Sequence, residues 1–263
     1  MTSLEGIGVH TGVRCRVTLH RVDGPVRFRR NGTDIPATLD AVVDSRRATT
    51  LGVGRERIAV VEHLLAALAM RGFWSGVLVE ASAPELPILD GSARDWYALA
   101  GELADRPPPP PPLRPDASLT LHIDDARAEL RPGPAELCYG IAFDHPAIGE
   151  QHWCGGPDRY PELVEARTFG FLSELESLIS QGLASGANLG NAIVFGEEGP
   201  LVPLRAEDEP VRHKALDALG DLFLLARPLD ARVAFWRGSH RVHVAFMREL
   251  VASHSHPRSG PGQ

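Results

Sequence analysis

Cysteine is scarce in this chain: Cys15, Cys138 and Cys154 are the only ones in 263 residues, and no two form a C-x-x-C pair. An odd number without that spacing indicates neither a disulfide framework nor a thiolate metal site, so reduced, structural thiols are expected. His152 and Cys154 offer only two donors in a loop bounded by glycine and proline, too few to hold a metal. Long apolar runs are missing too. Nothing approaches the ~20 residues that span a bilayer, and the opening Met-Thr-Ser-Leu-Glu lacks the basic start and apolar stretch of a secretory signal. A cytoplasmic protein without membrane insertion is expected. Positive charge is also in deficit, 27 Lys and Arg against 34 Asp and Glu for a formal net charge of -7. Nucleic-acid binding, in which cations displace counterions from phosphates, is therefore excluded as a general activity. An anionic small molecule would have to be met by local cations such as Lys214 or Arg237.

What is present is a globular composition, 43% apolar and 23% charged, in a length that accommodates one large domain or two small ones. Pro107 to Pro112, followed by Leu-Arg-Pro, can enter neither a helix nor a sheet interior. This tract predicts an extended spacer over 107–115, between a first domain at 1–106 and a second at 116–252. Proline tracts also serve as ligands for aromatic-lined modules, but two structured flanks favour a spacer. The remainder, 253–263, is expected to be a disordered tail. Alternating apolar residues predict strands at 15–19 and 26–29, then a helix at 60–70, a strand at 77–80 and a helix at 92–104. Beyond the spacer, strands at 119–123, 137–143, 192–195 and 232–236 accompany helices at 172–181, 210–226 and 241–252. Strands followed by helices in both halves are the grammar of α+β domains. The glycines at Gly6, Gly8 and Gly12 lack the spacing of a dinucleotide loop and read as a turn between strands, and Gly186 to Gly190 has no lysine to make it a phosphate loop.

Chemistry-bearing residues concentrate in three places. Glu62 and His63 begin Glu-His-Leu-Leu-Ala-Ala-Leu-Ala-Met, a helix apolar on nearly every side and therefore buried. Burying a carboxylate and an imidazole is costly unless they are paired or hold a metal. Taken alone, however, they fit a first-turn carboxylate meeting the helix dipole beside a satisfied core histidine. In the next constellation, His213, Asp217 and Asp221 fall within an arc of ~80° at ~100° per residue, opposite Ala215, Leu219, Leu222 and Ala226. A solvated face has the same pattern, yet His and Asp at i and i+4 also chelate one metal, and His63 would complete a three-ligand set with an open position. Two imidazoles and a carboxylate suit zinc, with ferrous iron an alternative. His240 follows a Gly-Ser turn, where a capping or surface histidine is usual; held by a carboxylate such as Asp221 it would instead serve as a general acid.

Together these segments resemble the UDP-3-O-acyl-N-acetylglucosamine deacetylases, zinc hydrolases that commit bacteria to lipid A biosynthesis. The resemblance runs in order through Gly8-Val-His-Thr-Gly12, Phe28-Arg-Arg30, the stretch ending at Arg46, Val61 to Leu68 and Pro87-Ile-Leu-Asp-Gly-Ser-Ala93. It continues through Phe143-Asp-His-Pro146, Ala166-Arg-Thr-Phe-Gly-Phe171, Asn191-Ala-Ile-Val194 and Arg212 to Asp221. By this resemblance the fold is two α+β domains of similar topology, helices packed between β-sheets, with the active site in the cleft between them. The implied reaction is hydrolysis of the N-acetyl group of UDP-3-O-[(3R)-3-hydroxyacyl]-N-acetylglucosamine by a monomeric enzyme, with a bell-shaped pH profile. The resemblance implies zinc on His63, His213 and Asp217, Glu62 as general base, and His240 as general acid oriented by Asp221. It also implies Thr168 as an oxyanion donor, Lys214, Phe143, Phe169 and Arg237 as substrate contacts, and an insert at about 172–195 that shapes an acyl-chain passage.

The sequence departs from the family pattern in places. It begins close to the glycine-rich turn, so the leading strand is expected to be short or missing. Gly190 replaces a common acidic residue, Gly238-Ser239 reverses the usual order before His240, and His243 stands where asparagine is common. Two rival readings remain, a catalytically silent paralogue that binds an acylated sugar nucleotide and a deacetylase of a different acylated amino sugar. Retention of Glu62, Asp221 and His240 speaks against the silent one, since binding needs no general base.

Overall fold

Alternation sets the first sheet, in a computed structural model that describes residues 2–255. Strand β1 (Thr2–Ile7) pairs antiparallel with β2 (Arg14–Pro25), whose Cys15, Val17 and Leu19 are buried while Arg14 and Arg16 face water. A period of two is the signature of a sheet with one wet face. Strands β3 (Arg27–Arg30) and β4 (Thr33–Pro36) form a hairpin, and β5 (Val42–Asp44), β6 (Thr50–Val53) and β7 (Glu56–Ile58) make a separate small sheet. Helix α1 (Glu62–Arg71) leads to β8 (Ser75–Ala81), which enters between β2 and β3, and α2 (Arg94–Gly101) follows. The order is β1-β2-β8-β3-β4.

The second half repeats this plan. Strands β9 (Leu119–Ile123), β10 (Ala126–Pro132), β11 (Glu136–Ala142) and β12 (Glu150–Gly155) precede a paired insert of β13 (Phe169–Phe171), helix α3 (Leu175–Ser180) and β14 (Ile193–Phe195). Helix α4 (Glu209–Leu222), strand β15 (Ala231–Trp236) and helix α5 (His240–Ser255) complete it. The order β9-β10-β15-β11-β12 matches the first sheet strand for strand, with antiparallel, antiparallel, parallel and antiparallel neighbours in both. In each half a helix feeds the central strand and another leaves it.

Helices α1 and α4 pack on each other between the sheets, and one apolar cluster runs through both halves, from Val17 and Phe28 to Leu137 and Phe235. Gly220 permits that packing: a Cβ there would overlap the backbone carbonyl of Glu62. The expected polar stripe on α4 is thus inside the molecule, with His213, Asp217 and Asp221 all buried.

Three expectations need correction. The leading strand is present, because Thr2 to Ile7 pair with β2 along their whole length. Cys138 and Cys154 are joined in a disulfide rather than standing as separate thiols, since the β11–β12 pairing sets them directly opposite, a relation no local spacing reveals; Cys15 alone is a buried free thiol. Helix α5 continues through Ser255, past the predicted start of the tail, and 256–263, including His256, lies outside the described residues. At the end of the proline-rich tract Leu113 N–H donates to Pro228 O and Asp230 N–H to Leu113 O, at 2.8 and 2.9 Å.

Candidate active site

The site starts where the chain turns into α1. Val60 takes a positive φ of 59°, and the helix opens with Glu62 and His63 before an unbroken buried run from Leu64 to Leu68. Because this helix is apolar all round it is enclosed, and its two polar residues are enclosed with it. The Thr49 backbone N–H donates to Glu62 Oε2 at 3.1 Å. Burial drives the Glu62 carboxyl above its ordinary pKa, with His240 and His63 opposing.

Helix α4 supplies the next group from the other half. Its first turn is anchored by Glu209, which accepts from Arg205 N–H at 2.6 Å, Arg167 N–H at 3.1 Å and Arg167 Nε at 2.8 Å. One turn on, His213 Nδ1–H donates to Ala166 O at 3.1 Å, turning Nε2 towards Asp217. Asp217 Oδ1 lies 3.4 Å from His213 Nε2 and 3.6 Å from His63 Nε2. These gaps are long for hydrogen bonds. With ligand bonds of ~2.0–2.2 Å, donors around a tetrahedral zinc sit roughly 3.4 Å apart, so the three side chains fit a common cation. Chemistry agrees with spacing, since burial lowers the His213 pKa to about 4 and keeps the ring neutral. The Asp217 carboxyl is held well below its ordinary value: burial acts the other way, but His213, Lys214 and His63 outweigh it.

His240, at the start of α5, closes the group. Its Nδ1 lies 2.7 Å from Asp221 Oδ2, and its Nε2 faces Glu62 Oε1 at 3.7 Å and Asp217 Oδ2 at 3.8 Å. Burial alone would lower its pKa, but Asp221 and Glu62 raise it to about 9; Asp221 itself is pulled to about 2, chiefly by His240, against its own burial.

Glu62, His63, Thr168, His213, Lys214, Asp217 and His240 all line one cavity of about 170 Å³. Thr168 is fixed between the turn at Gly91 and β14, its N–H on Gly91 O at 2.8 Å and its carbonyl accepting from Ile193 N–H at 2.9 Å. Lys214, the only lysine in the sequence, places Nζ 2.9 Å from Asp217 Oδ2 and 5.7 Å over the Phe169 ring. Phe143 packs edge-on against Phe169 at 5.6 Å. Arg237 stands apart, half exposed, with its guanidinium on Asp125 at 2.8 Å, and does not line the cavity. The rest of the wall is largely apolar, from Val60 and Ile88 in the first half and Leu175, Leu178 and Val194 in or beside the insert. That insert is laced to the glycine-rich turn by Ser185 N–H to His10 O and Gly186 N–H to Val9 O, at 3.1 and 3.0 Å.

Sequence reasoning missed Thr49, whose hydroxyl donates to Asp221 Oδ1 while its N–H serves Glu62. It also missed His10 and Arg47 in the cavity wall. No local pattern marks these residues, since Thr49 and Asp221 are 172 positions apart.

Comparison with known proteins fits this geometry. The family model described as UDP-3-O-acyl N-acetylglycosamine deacetylase matches residues 1–252. A UDP-3-O-acyl-N-acetylglucosamine deacetylase of Thermosynechococcus vestitus is 38% identical over 260 residues, covering 94% of this chain and 90% of the relative. Proteins of the same name from Syntrophotalea carbinolica and Myxococcus xanthus are 36% and 37% identical, covering 95% and 97% of this chain and 85% of each relative. A match that runs across both halves of the site makes this chain a member of the UDP-3-O-acyl N-acetylglycosamine deacetylase family.

Proposed function

We propose that this protein hydrolyses the acetamide of a UDP-linked, 3-O-acylated N-acetylglucosamine in the bacterial cytosol, releasing acetate and the free amine as the committed step of lipid A biosynthesis. The observation that carries this reading is the convergence of His63, His213 and Asp217 with Glu62 and His240 beside them, at a cavity whose remaining wall is mostly apolar. His63, His213 and Asp217 would hold zinc, the same donors also suiting ferrous iron, and the chemistry supplied is Lewis acidity that polarises the amide carbonyl and acidifies water. Glu62, kept basic by burial, takes the proton of the attacking water. Thr168 donates to the developing oxyanion, and His240, protonated through its contact with Asp221, passes a proton from Nε2 to the departing amine. Lys214, Phe143 and Phe169 bind substrate on the α4 side, and Arg237 meets the diphosphate if it leaves Asp125. The wall between Val60 and Leu178 accepts the acyl chain.

The test is amine release from the acylated UDP-sugar by purified protein, before and after chelation and with metal restored. Metal-dependent turnover is expected. Absence of turnover with metal bound would favour the silent paralogue, and turnover only on another acylated amino sugar would move the substrate.

A further inference from the structure

Asp221 serves more than His240. Its Oδ2 lies 2.7 Å from His240 Nδ1 and 2.8 Å from His243 Nδ1, while Oδ1 accepts from the Thr49 hydroxyl. An ionised carboxylate only accepts, so each imidazole must bring a hydrogen on Nδ1. His243 is fully buried, and burial disfavours its charged form despite Asp221. A neutral ring with Nδ1–H leaves Nε2 bare, and the Tyr139 hydroxyl sits 3.1 Å from that atom, placed to donate. The two imidazoles stand edge-on with centroids 6.0 Å apart, so among these groups Asp221 is their link.

Gly238 makes room for this arrangement. A Cβ at 238 would lie 2.6 Å from Tyr139 Oη and 3.2 Å from His243 Nε2. Any side chain there would part the tyrosine from the histidine. The order Gly238-Ser239 and the histidine at 243 are therefore one spatial unit with Tyr139, not unrelated features.

We infer that His243, locked in its Nδ1–H form by Tyr139, is a positioning residue of the reaction: it shares Asp221 Oδ2 with His240 and so fixes both the direction and the strength of the carboxylate's hold on the acid. Without the His243 donor, Oδ2 answers to His240 alone while Thr49 still holds only Oδ1, so the carboxylate can tilt about that contact and His240 Nε2 loses its set position 3.7 Å from Glu62 Oε1. The sheet of the second half, through Tyr139 on β11, thereby orients a proton donor on α5.

This inference rests on the deacetylase reading, and its test separates the two. Metal-loaded wild type and the variants H243N, H243Q and Y139F are compared on the acylated UDP-sugar, with metal content and melting temperature measured alongside. Asparagine puts an N–H close to the place of Nδ1 and keeps the Asp221 contact; glutamine reaches towards Tyr139 and leaves Asp221 unshared. H243Q should lose about 10–100-fold in kcat with KM unchanged, the usual scale for a residue that orients a catalytic group, while H243N retains most of the wild-type kcat. Y139F should fall between them. G238S should also lower kcat, and should cost less in the Y139F background, where the nearest clash, with the hydroxyl, is gone and only the 3.2 Å approaches to His243 Nε2 and the ring carbon remain. An inactive wild type defeats the deacetylase reading. An active wild type with H243Q at full kcat, or with H243N and H243Q equally impaired, overturns this inference.

Discussion

Glu62 Oε1 and His240 Nε2 face each other at 3.7 Å, although one opens a helix in the first half of the chain and the other opens a helix in the second. The reacting amide would lie beside that gap, so the chemistry depends on how the two halves dock as well as on which residues are present.

Replacing Glu62 by glutamine keeps shape and removes the proposed base. Turnover should fall by roughly 10²–10⁴-fold, the range for loss of a general base, while metal content measured by atomic emission stays at the wild-type level. Full activity in this variant would remove Glu62 from the reaction.

His63→Ala should instead lose the metal itself. Because the three donors come from α1 and α4, a metal held by them would also bridge the halves. At 100 times its Kd a bound ion stabilises the folded state by about 2.7 kcal/mol. For a chain of this size that raises the melting temperature by roughly 5–10 °C, and chelation should reverse the shift in wild type but not in His63→Ala.

Gly220→Ala tests the docking directly, since its Cβ would meet the Glu62 carbonyl. Overpacking costs typically about 1–3 kcal/mol, and backbone cannot rotate away as a side chain can. Denaturant melts should show that loss, with kcat falling further than stability alone explains because Glu62 is displaced.

Glu209 gives a dependence on acid. Its burial would raise its pKa, but Arg167 and the N–H groups of Arg205 and Arg167 lower it below 4.5. A depressed carboxylate contributes stability that is complete above the unfolded value and is lost as pH falls through the folded one. Glu209→Gln should therefore be less stable near pH 7, by about 3 kcal/mol for a broken buried pair, and the gap to wild type should close below pH 4.5. A gap unchanged by pH would show that Glu209 acts by shape alone.

Much of this molecule could be read from order and period. The buried run after Glu62 identified α1, alternation found β2, β9 and β15, and the His213–Asp217 spacing placed two donors on one side of α4. Resemblance, not spacing, joined them to His63 and His240. What stayed hidden depends on partners distant in sequence: Thr49 acquires meaning only beside Asp221, Tyr139 only beside His243, and Cys138 only through the register that sets it across from Cys154. The α4 stripe looked like a wet face because helical period reports polarity, whereas the direction it faces is set by the other half of the chain.

A last consequence concerns reagents rather than residues. Among the 27 lysine and arginine side chains every one but Lys214 is an arginine, and Lys214 points its nitrogen at Asp217 in the cavity wall. Apart from the chain's α-amino group, an amine-directed label has one address on this protein. The extent of acylation at that address, followed with and without metal or substrate, is a direct meter of how open the cavity stands.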